Sequence, residues 1–293
     1  MRSGVLVAMI SLLGCFFGPA QAQILVPGQT NDIYRAGLIQ RLSDADVIIL
    51  GEVHDNPEHH ANQAWTVREL APSAVVFEML KRSDETPIRM HLDKGGDWAG
   101  IADVVGWDKS GWPDWSMYQP IFESLNRGGV IAGGGIPRSV VRRVMAEPAA
   151  ELIDDARFRP ILERALAPAL RAELEAEMVE SHCGHLPPEM APMMVAAQRL
   201  RDASLASAVL MVSEKWSGKI VVITGNGHAR KDRGVPAFLA EVAPHLRVVS
   251  VGQLETEAGL PPRAEAFDIV WLTAPHPRPD PCEQLRKRVK SKG

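Results

Sequence analysis

Apolar residues come along this chain in short unbroken runs rather than in alternation. Residues 47–50, 74–77, 130–132 and 220–224 form such runs, each bounded by turn-forming residues, and 247–251 and 268–273 repeat the pattern later. Runs of this kind read as strands covered on both faces, as in a parallel sheet. Between them the spacing becomes helical. Residues 33–42 are amphipathic, and 58–70 follow Pro57 at a helix start. Strand alternating with helix predicts an α/β fold: an open, mostly parallel sheet flanked by helices. Two stretches break the alternation. Residues 84–128 hold several short helical patterns with Trp98, Trp107, Trp112 and Trp115; residues 149–214 are Ala-rich and helical, most clearly over 165–179 and 190–212. Both are read as helical insertions that build a cap subdomain beside the sheet. After Ala274 comes a Pro-rich and then basic tail, 275–293, read as a loose extension.

The first 22 residues stand apart from this pattern. Arg2 gives a short positive segment, residues 5–17 an apolar one, and Ala20-Gln21-Ala22 a small-x-small cleavage site, so 1–22 read as a secretory signal and 23–274 as the folded domain. Leu12-Leu13-Gly14-Cys15 also resembles a lipobox, which makes an outer-membrane lipoprotein anchored at Cys15 the alternative. No other apolar run approaches the roughly 18 residues of a membrane span. The expected location is periplasmic or exported. Cys183 and Cys282 remain beyond the leader; in an oxidising compartment they either pair or stay as two free thiols.

Composition narrows the partners. The 293-residue chain has a hydrophobic fraction of 46% and a net charge of -4, enough for a core and without the excess of base that sequence-independent nucleic-acid binding needs. No nucleic-acid partner is expected, and a membrane only through lipid at Cys15.

The polar clusters sit where chemistry is easiest to place. Each of four runs leads straight into one: Gly51-Glu52-Val53-His54-Asp55, then Glu78, then Gly133-Gly134-Gly135-Ile136-Pro137-Arg138, then Gly225-Asn226-Gly227-His228. The carboxyl ends of parallel strands line one edge, and ligands bind there. Glu52, His54, Glu78 and His228 are thereby predicted to meet at one pocket, although a lone Glu or His at a strand end also serves as an ordinary cap. The glycines before Pro137 predict a helix N-terminus with free amides, and Arg138 adds a fixed charge suited to a carboxylate or phosphate. His182 and His185 are three apart and able to share a face. The chain lacks H-E-x-x-H, G-x-S-x-G and C-x-x-C-H, which excludes those zinc-protease, serine-hydrolase and covalent-haem signatures.

The segment from Ile49 to His60, with Gly51-Glu52-Val53-His54-Asp55-Asn56-Pro57-Glu58-His59-His60, resembles the opening motif of the ChaN-like haem-binding uptake family. Trp112-Pro113-Asp114-Trp115 with Tyr118 also matches, as do His182-Cys183-Gly184-His185, Ala197-Gln198-Arg199-Leu200-Arg201-Asp202 and Thr224-Gly225-Asn226-Gly227-His228-Ala229. The resemblance covers about residues 31–273, in order. It implies an α/β fold with a helical subdomain and an exported protein, often a lipoprotein, tied to iron acquisition. It further implies haem held between two monomers, with a Tyr from one subunit on each iron and a His from the other at the propionates. The wider superfamily holds erythromycin-esterase-like hydrolases and Tiki-type metal-dependent proteases, where the residues after the first strand and the Gly-x-x-His-like turn serve catalysis.

Two readings follow. In the first the protein captures haem non-covalently, as a haem-bridged homodimer. Tyr118 is then the first candidate for iron, Tyr34 the other phenol, and His182 or His185 the donor if neither Tyr serves. Arg138 or a His meets the propionates. In the second the protein is a hydrolase of esterase or peptidase type. His54, Glu78 and His228 hold a divalent metal (zinc or manganese) with one open position, or Glu52 orients His54 as a general base.

Overall fold

A computed structural model describes residues 23–29, 31–126, 128–257, 259–280 and 282–283. The leader, Cys15 and the basic end of the tail lie outside the described residues. Every expected run forms a strand, and most strands are longer than the runs, because the polar residues that follow stay in the ladder. The strands are β1 (Ile24–Leu25), β2 (Val47–Glu52), β3 (Ala74–Lys81), β4 (Val130–Gly135), β5 (Ile220–Gly225), β6 (Val248–Glu255) and β7 (Ile269–Thr273). The helices are α1 (Arg35–Leu42), α2 (Pro57–Leu70), α3 (Glu85–Asp93), α4 (Ile101–Val105), α5 (Trp115–Glu123) and α6 (Arg138–Arg143). They continue as α7 (Ala149–Leu152), α8 (Arg159–Glu163), α9 (Pro168–Ser181), α10 (Ala191–Lys215), α11 (Asn226–Ala229) and α12 (Val235–Val242).

The sheet runs in the order β1-β7-β6-β2-β5-β3-β4. All neighbours are parallel except β1, which pairs antiparallel with β7. That edge strand has only two residues, too few to carry a pattern in the sequence. Successive side chains of a strand point to opposite faces, so β2 sends Ile48 and Leu50 to one core and Val47 and Ile49 to the other. The first core is closed by α1, α2, α3 and α5, with Phe77 stacked on Phe122 at 4.3 Å. The second is closed by α10, α12 and the short helices α7 and α8. The two expected helical stretches thus overlie opposite faces, and α10 brings its apolar residues from Leu200 to Val212 directly onto β3, β4 and β5.

Two expectations are corrected. The three glycines were read as the approach to a helix, yet Gly133, Gly134 and Gly135 belong to β4 and α6 begins only at Arg138. The cause is a bulge in β3 between Phe77 and Lys81 that swings its backbone against β4. A Cβ on Gly133 would lie 2.3 Å from the Lys81 carbonyl, so the approach demands glycine. The tail is also not loose over its described part. Cys282 is disulfide-bonded to Cys183 across 99 positions, with the Cα atoms 5.4 Å apart. A loop of that size is worth about 5 kcal/mol in the chain-entropy account.

Gly133→Ala is expected to lower the denaturant midpoint by the equivalent of about 1–3 kcal/mol, an overpacking cost. Gly128→Ala, where a Cβ meets nothing within 4 Å, is expected to leave it nearly unchanged.

Candidate functional site at the sheet edge

The helices after β2 and β3 cross one face of the sheet, and those after β4 and β5 cross the other. Neighbouring strands therefore part company at their carboxyl ends, which opens a crevice there. Glu52 ends β2, Glu78 lies within β3, and Gly225 ends β5. His54 sits in the turn before α2, whose N-terminus is capped by Asn56: its Oδ1 accepts from the N–H of Glu58 (2.9 Å) and His59 (3.4 Å). His228 stands on α11. A Cβ at Gly225 would come 2.9 Å from His54 Nε2, so glycine lets the strand end pass beneath the imidazole.

The side chains form two connected groups. Glu52 is buried. Its Oε1 meets His54 Nδ1 at 2.7 Å and accepts from the Tyr118 hydroxyl at 2.8 Å, while its Oε2 faces His60 Nδ1 at 3.3 Å. His60 Nε2 donates to the carbonyl of His54 at 2.9 Å. In the second group His228 lies between two carboxylates, with Nδ1 2.6 Å from Asp202 and Nε2 3.4 Å from Glu78. The other Glu78 oxygen accepts from the Thr224 hydroxyl (2.7 Å) and the Gly225 N–H (2.8 Å).

Burial disfavours every charge here, and the pairing decides which survive. Burial alone would raise Glu52, yet hydrogen bonds from His54 and His60 hold it at about 2. Glu78 is likewise kept well below the carboxylate range, against burial, by the charge and hydrogen bond of His228. Burial opposes the His228 cation, but Glu78 and Asp202 push it up to about 10. His54 and His60 are raised too, Glu52 outweighing burial at each. Asp202 moves upward because burial dominates its partner's pull. His59 behaves oppositely: burial lowers it to about 4. It is neutral, accepting the Val53 N–H at Nδ1 (2.8 Å) and reaching Thr273 through Nε2 (2.8 Å).

Both groups border one cavity of about 1010 Å³. Its walls are apolar in part, from Val53, Met79, Val105, Trp107, Trp112, Ile136, Val141 and Leu205, and Trp112 stands edge-on to His54 at 4.9 Å. Lys81, Lys109, Arg138 and Arg201 also line it. Lys81 lies 3.9 Å from Asp84; the other three pair with no carboxylate among the described residues. The His54 side chain is 37% exposed, and its Nε2 has no hydrogen-bond partner among the described residues.

Glu52, His54, Glu78, His228 and Arg138 are thus brought together as the sequence predicts. The other expected ligands are not. Tyr118 is fully buried behind Glu52, packed on His60 and Trp107, and outside the cavity lining. Burial and the neighbouring Glu52 drive its phenol far upward, so it keeps its proton and works as a donor to Glu52 rather than as a phenolate for iron. His182 and His185 stand at the end of α9 beside the disulfide and do not line the cavity; His182 Nδ1 is bound to the Met178 carbonyl (2.7 Å). Tyr34 is 89% exposed at the start of α1. His54, Glu78 and His228 share the cavity, yet among the described residues no group of three His, Cys, Asp or Glu side chains is arranged for a metal ion.

The model of the family described as haem-binding uptake, Tiki superfamily, ChaN, matches residues 38–239. The chain belongs to this family. Among solved structures, the fold is similar to "Cofacial heme binding to ChaN of Campylobacter jejuni", with a TM-score of 0.68 and 20% identity over 85% of this chain and 96% of that one. An erythromycin esterase in its open conformation is more distant, with a TM-score of 0.41 and 16% identity over 85% of this chain and 81% of the other. No curated protein sequence matches the chain. For a ChaN family member the cavity is built on the motifs that the sequence displays. Asp202 and Gln198 on α10 and His60 on α2 lie inside those motifs, but no local pattern gave any of the three a part in the site: His60 stands in a run of polar residues and Gln198 and Asp202 alternate with arginines, so each passes for an exposed helix position.

The His228 cation is a linkage site. Its folded value lies above the ordinary 6.5, so its contribution to stability is complete below pH 6.5 and is lost as the pH rises through about 10. Unfolding titrations at pH 6 to 10 should show that decline, and His228→Gln should flatten it. His228→Ala, which strands Glu78 and Asp202, is expected to cost about 3–5 kcal/mol in chemical denaturation.

Proposed function

We propose that this protein binds haem non-covalently in the strand-edge cavity, as an exported component of haem or iron uptake. The observation that carries the reading is the lining: apolar walls with two tryptophans, bordered by three cations that pair with no carboxylate among the described residues. Porphyrin is a broad apolar body with two carboxylates at one edge, and a cavity of this size lies at the upper end of cofactor sites, which run to about 1,000 Å³. Apolar burial favours the ring by about 25 cal/mol per Å². Arg138, Arg201 and Lys109 are suited to the propionates, charge-assisted and bidentate in the case of arginine. His54 is the candidate axial donor, since its Nε2 opens to the cavity while Nδ1 is held by Glu52. Bound haem would supply an iron open to ligation. The chain's own part is to seat the ring, neutralise its carboxylates and orient one imidazole.

Several features support export. The leader-like segment is one, and the disulfide is another, because such bonds persist in oxidising compartments. Among the described residues no helix is long and apolar enough to cross a membrane. A homodimer sharing haem is part of this proposal, and a lipid at Cys15 is the alternative to cleavage after Ala22.

A second reading has its own observation. His54, with a carboxylate on one nitrogen and the other free in a cavity, has the form of a general base, and the His228 cation beside it suits developing negative charge. On that reading the pocket hydrolyses an ester or amide.

Haemin titration of the mature protein is expected to give one saturable Soret shift. Arg138→Ala with Arg201→Ala should weaken binding at least tenfold, and His54→Ala should alter the bound spectrum. Absence of a saturable shift, with hydrolysis of a chromogenic ester that disappears in His54→Ala, would replace the first reading by the second.

A further inference from the structure

A set of charged contacts not yet used lies outside the cavity, where the C-terminal segment crosses the loop that carries His54. Residues 274–280 have no regular secondary structure. They are nonetheless held at two places. Arg278 reaches both oxygens of Glu255, at the end of β6, at 2.7 and 2.5 Å, and its Nε lies 2.9 Å from Asp55 Oδ2. The N–H of His276 donates to the same Glu255 at 3.2 Å. Four residues further on, Cys282 is bonded to Cys183 just beyond α9.

Glu255 passes this hold inward. It accepts from Asn56 Nδ2 at 2.7 Å, and Asn56 is the cap of α2. Asp55 and Asn56 directly follow His54. The segment therefore grips the two residues that join the site imidazole to its helix. Ion pairs of half-exposed side chains are ordinarily weak, because two long side chains must be ordered for a screened attraction. A segment tethered at both ends has already lost most of that freedom, so its contacts form at a high effective concentration. The disulfide supplies the second tether.

We propose that Arg278 is a positioning residue for the His54 loop, that the Cys183–Cys282 bond makes its grip persistent, and that reducing this bond loosens the site. The reaction needs a dithiol. Its two electrons and two protons convert the S–S bond into two thiols, and the dithiol becomes a disulfide. Freed from α9, residues 274–280 keep their tether at β7 only, and Arg278 must then be ordered at the full entropic cost. Loss of its charge leaves the Glu255 and Asp55 carboxylates without the cation they share, and Glu255 then holds the Asn56 cap less firmly. The ligand half of this inference rests on the cavity being the binding site; the structural half does not.

Hydrogen exchange followed by mass spectrometry tests it on the full mature chain. Peptides covering residues 52–60 are compared in the oxidised protein, the protein treated with dithiothreitol, oxidised Arg278→Ala, and the Cys183→Ser, Cys282→Ser double variant. Exchange at residues 55–58 is expected to rise at least tenfold in the last three, with β2 and β5 unchanged, and Arg278→Lys is expected to recover part of the protection. Haemin affinity should fall several-fold in the same three samples. Should the double variant not fold, the reduced protein and Arg278→Ala carry the comparison. Unchanged exchange in both of those overturns the proposal. Faster exchange with undiminished haemin affinity overturns its ligand half. Faster exchange in a protein that binds no haemin in any form leaves the strap standing and removes the haem reading instead.

Discussion

Three carboxylates withdrawn from water at one end of a parallel sheet impose the condition that the remaining structure meets. Glu52, Glu78 and Asp202 are all buried, and an isolated carboxylate there would be untenable. Each is answered by an imidazole, with Tyr118, Thr224 and the Gly225 amide supplying further donors. Removing one member leaves another charge stranded, so the network holds its parts in one arrangement whether or not it adds net stability.

That condition explains why the strands run past their apolar stretches. Glu52 and Glu78 stay in the ladder because their donors come from the neighbouring elements: His54 and His60 from beyond β2, Thr224 and Gly225 from β5, His228 from α11. The second core is shaped by the same demand. α10 presents an apolar stripe to the sheet, but the stripe is interrupted at Asp202, exactly opposite no apolar partner but His228. Charge matching and hydrophobic packing thus share one helix.

The cavity has a graded character. Its floor is the carboxylate–imidazole network, its walls are aromatic and aliphatic, and Lys109, Arg138 and Arg201 pair with no carboxylate among the described residues. Such a lining favours a ligand with an apolar body and anionic edges. The loop that bears His54 is braced from both sides, by His59 and His60 of the adjoining α2 and by Glu255 of β6 with Arg278 of the C-terminal segment, so its geometry is set in part by residues about 200 positions away.

The sequence by itself determined every strand of the described residues but the two-residue β1, and the order of strand and helix, because strand runs and the polar clusters after them are local patterns. Glu52, His54, Glu78 and His228 could be placed on one edge by the topology of parallel sheets alone. Only the tertiary structure decided what each side chain faces. It turned Tyr118 from a ligand candidate into a buried donor, gave Asp202 and His60 their partners, drew three glycines into a strand, and joined Cys183 to Cys282. Those outcomes depend on distances between residues far apart in the chain and on the burial that sets their charge, and neither quantity has a local signature.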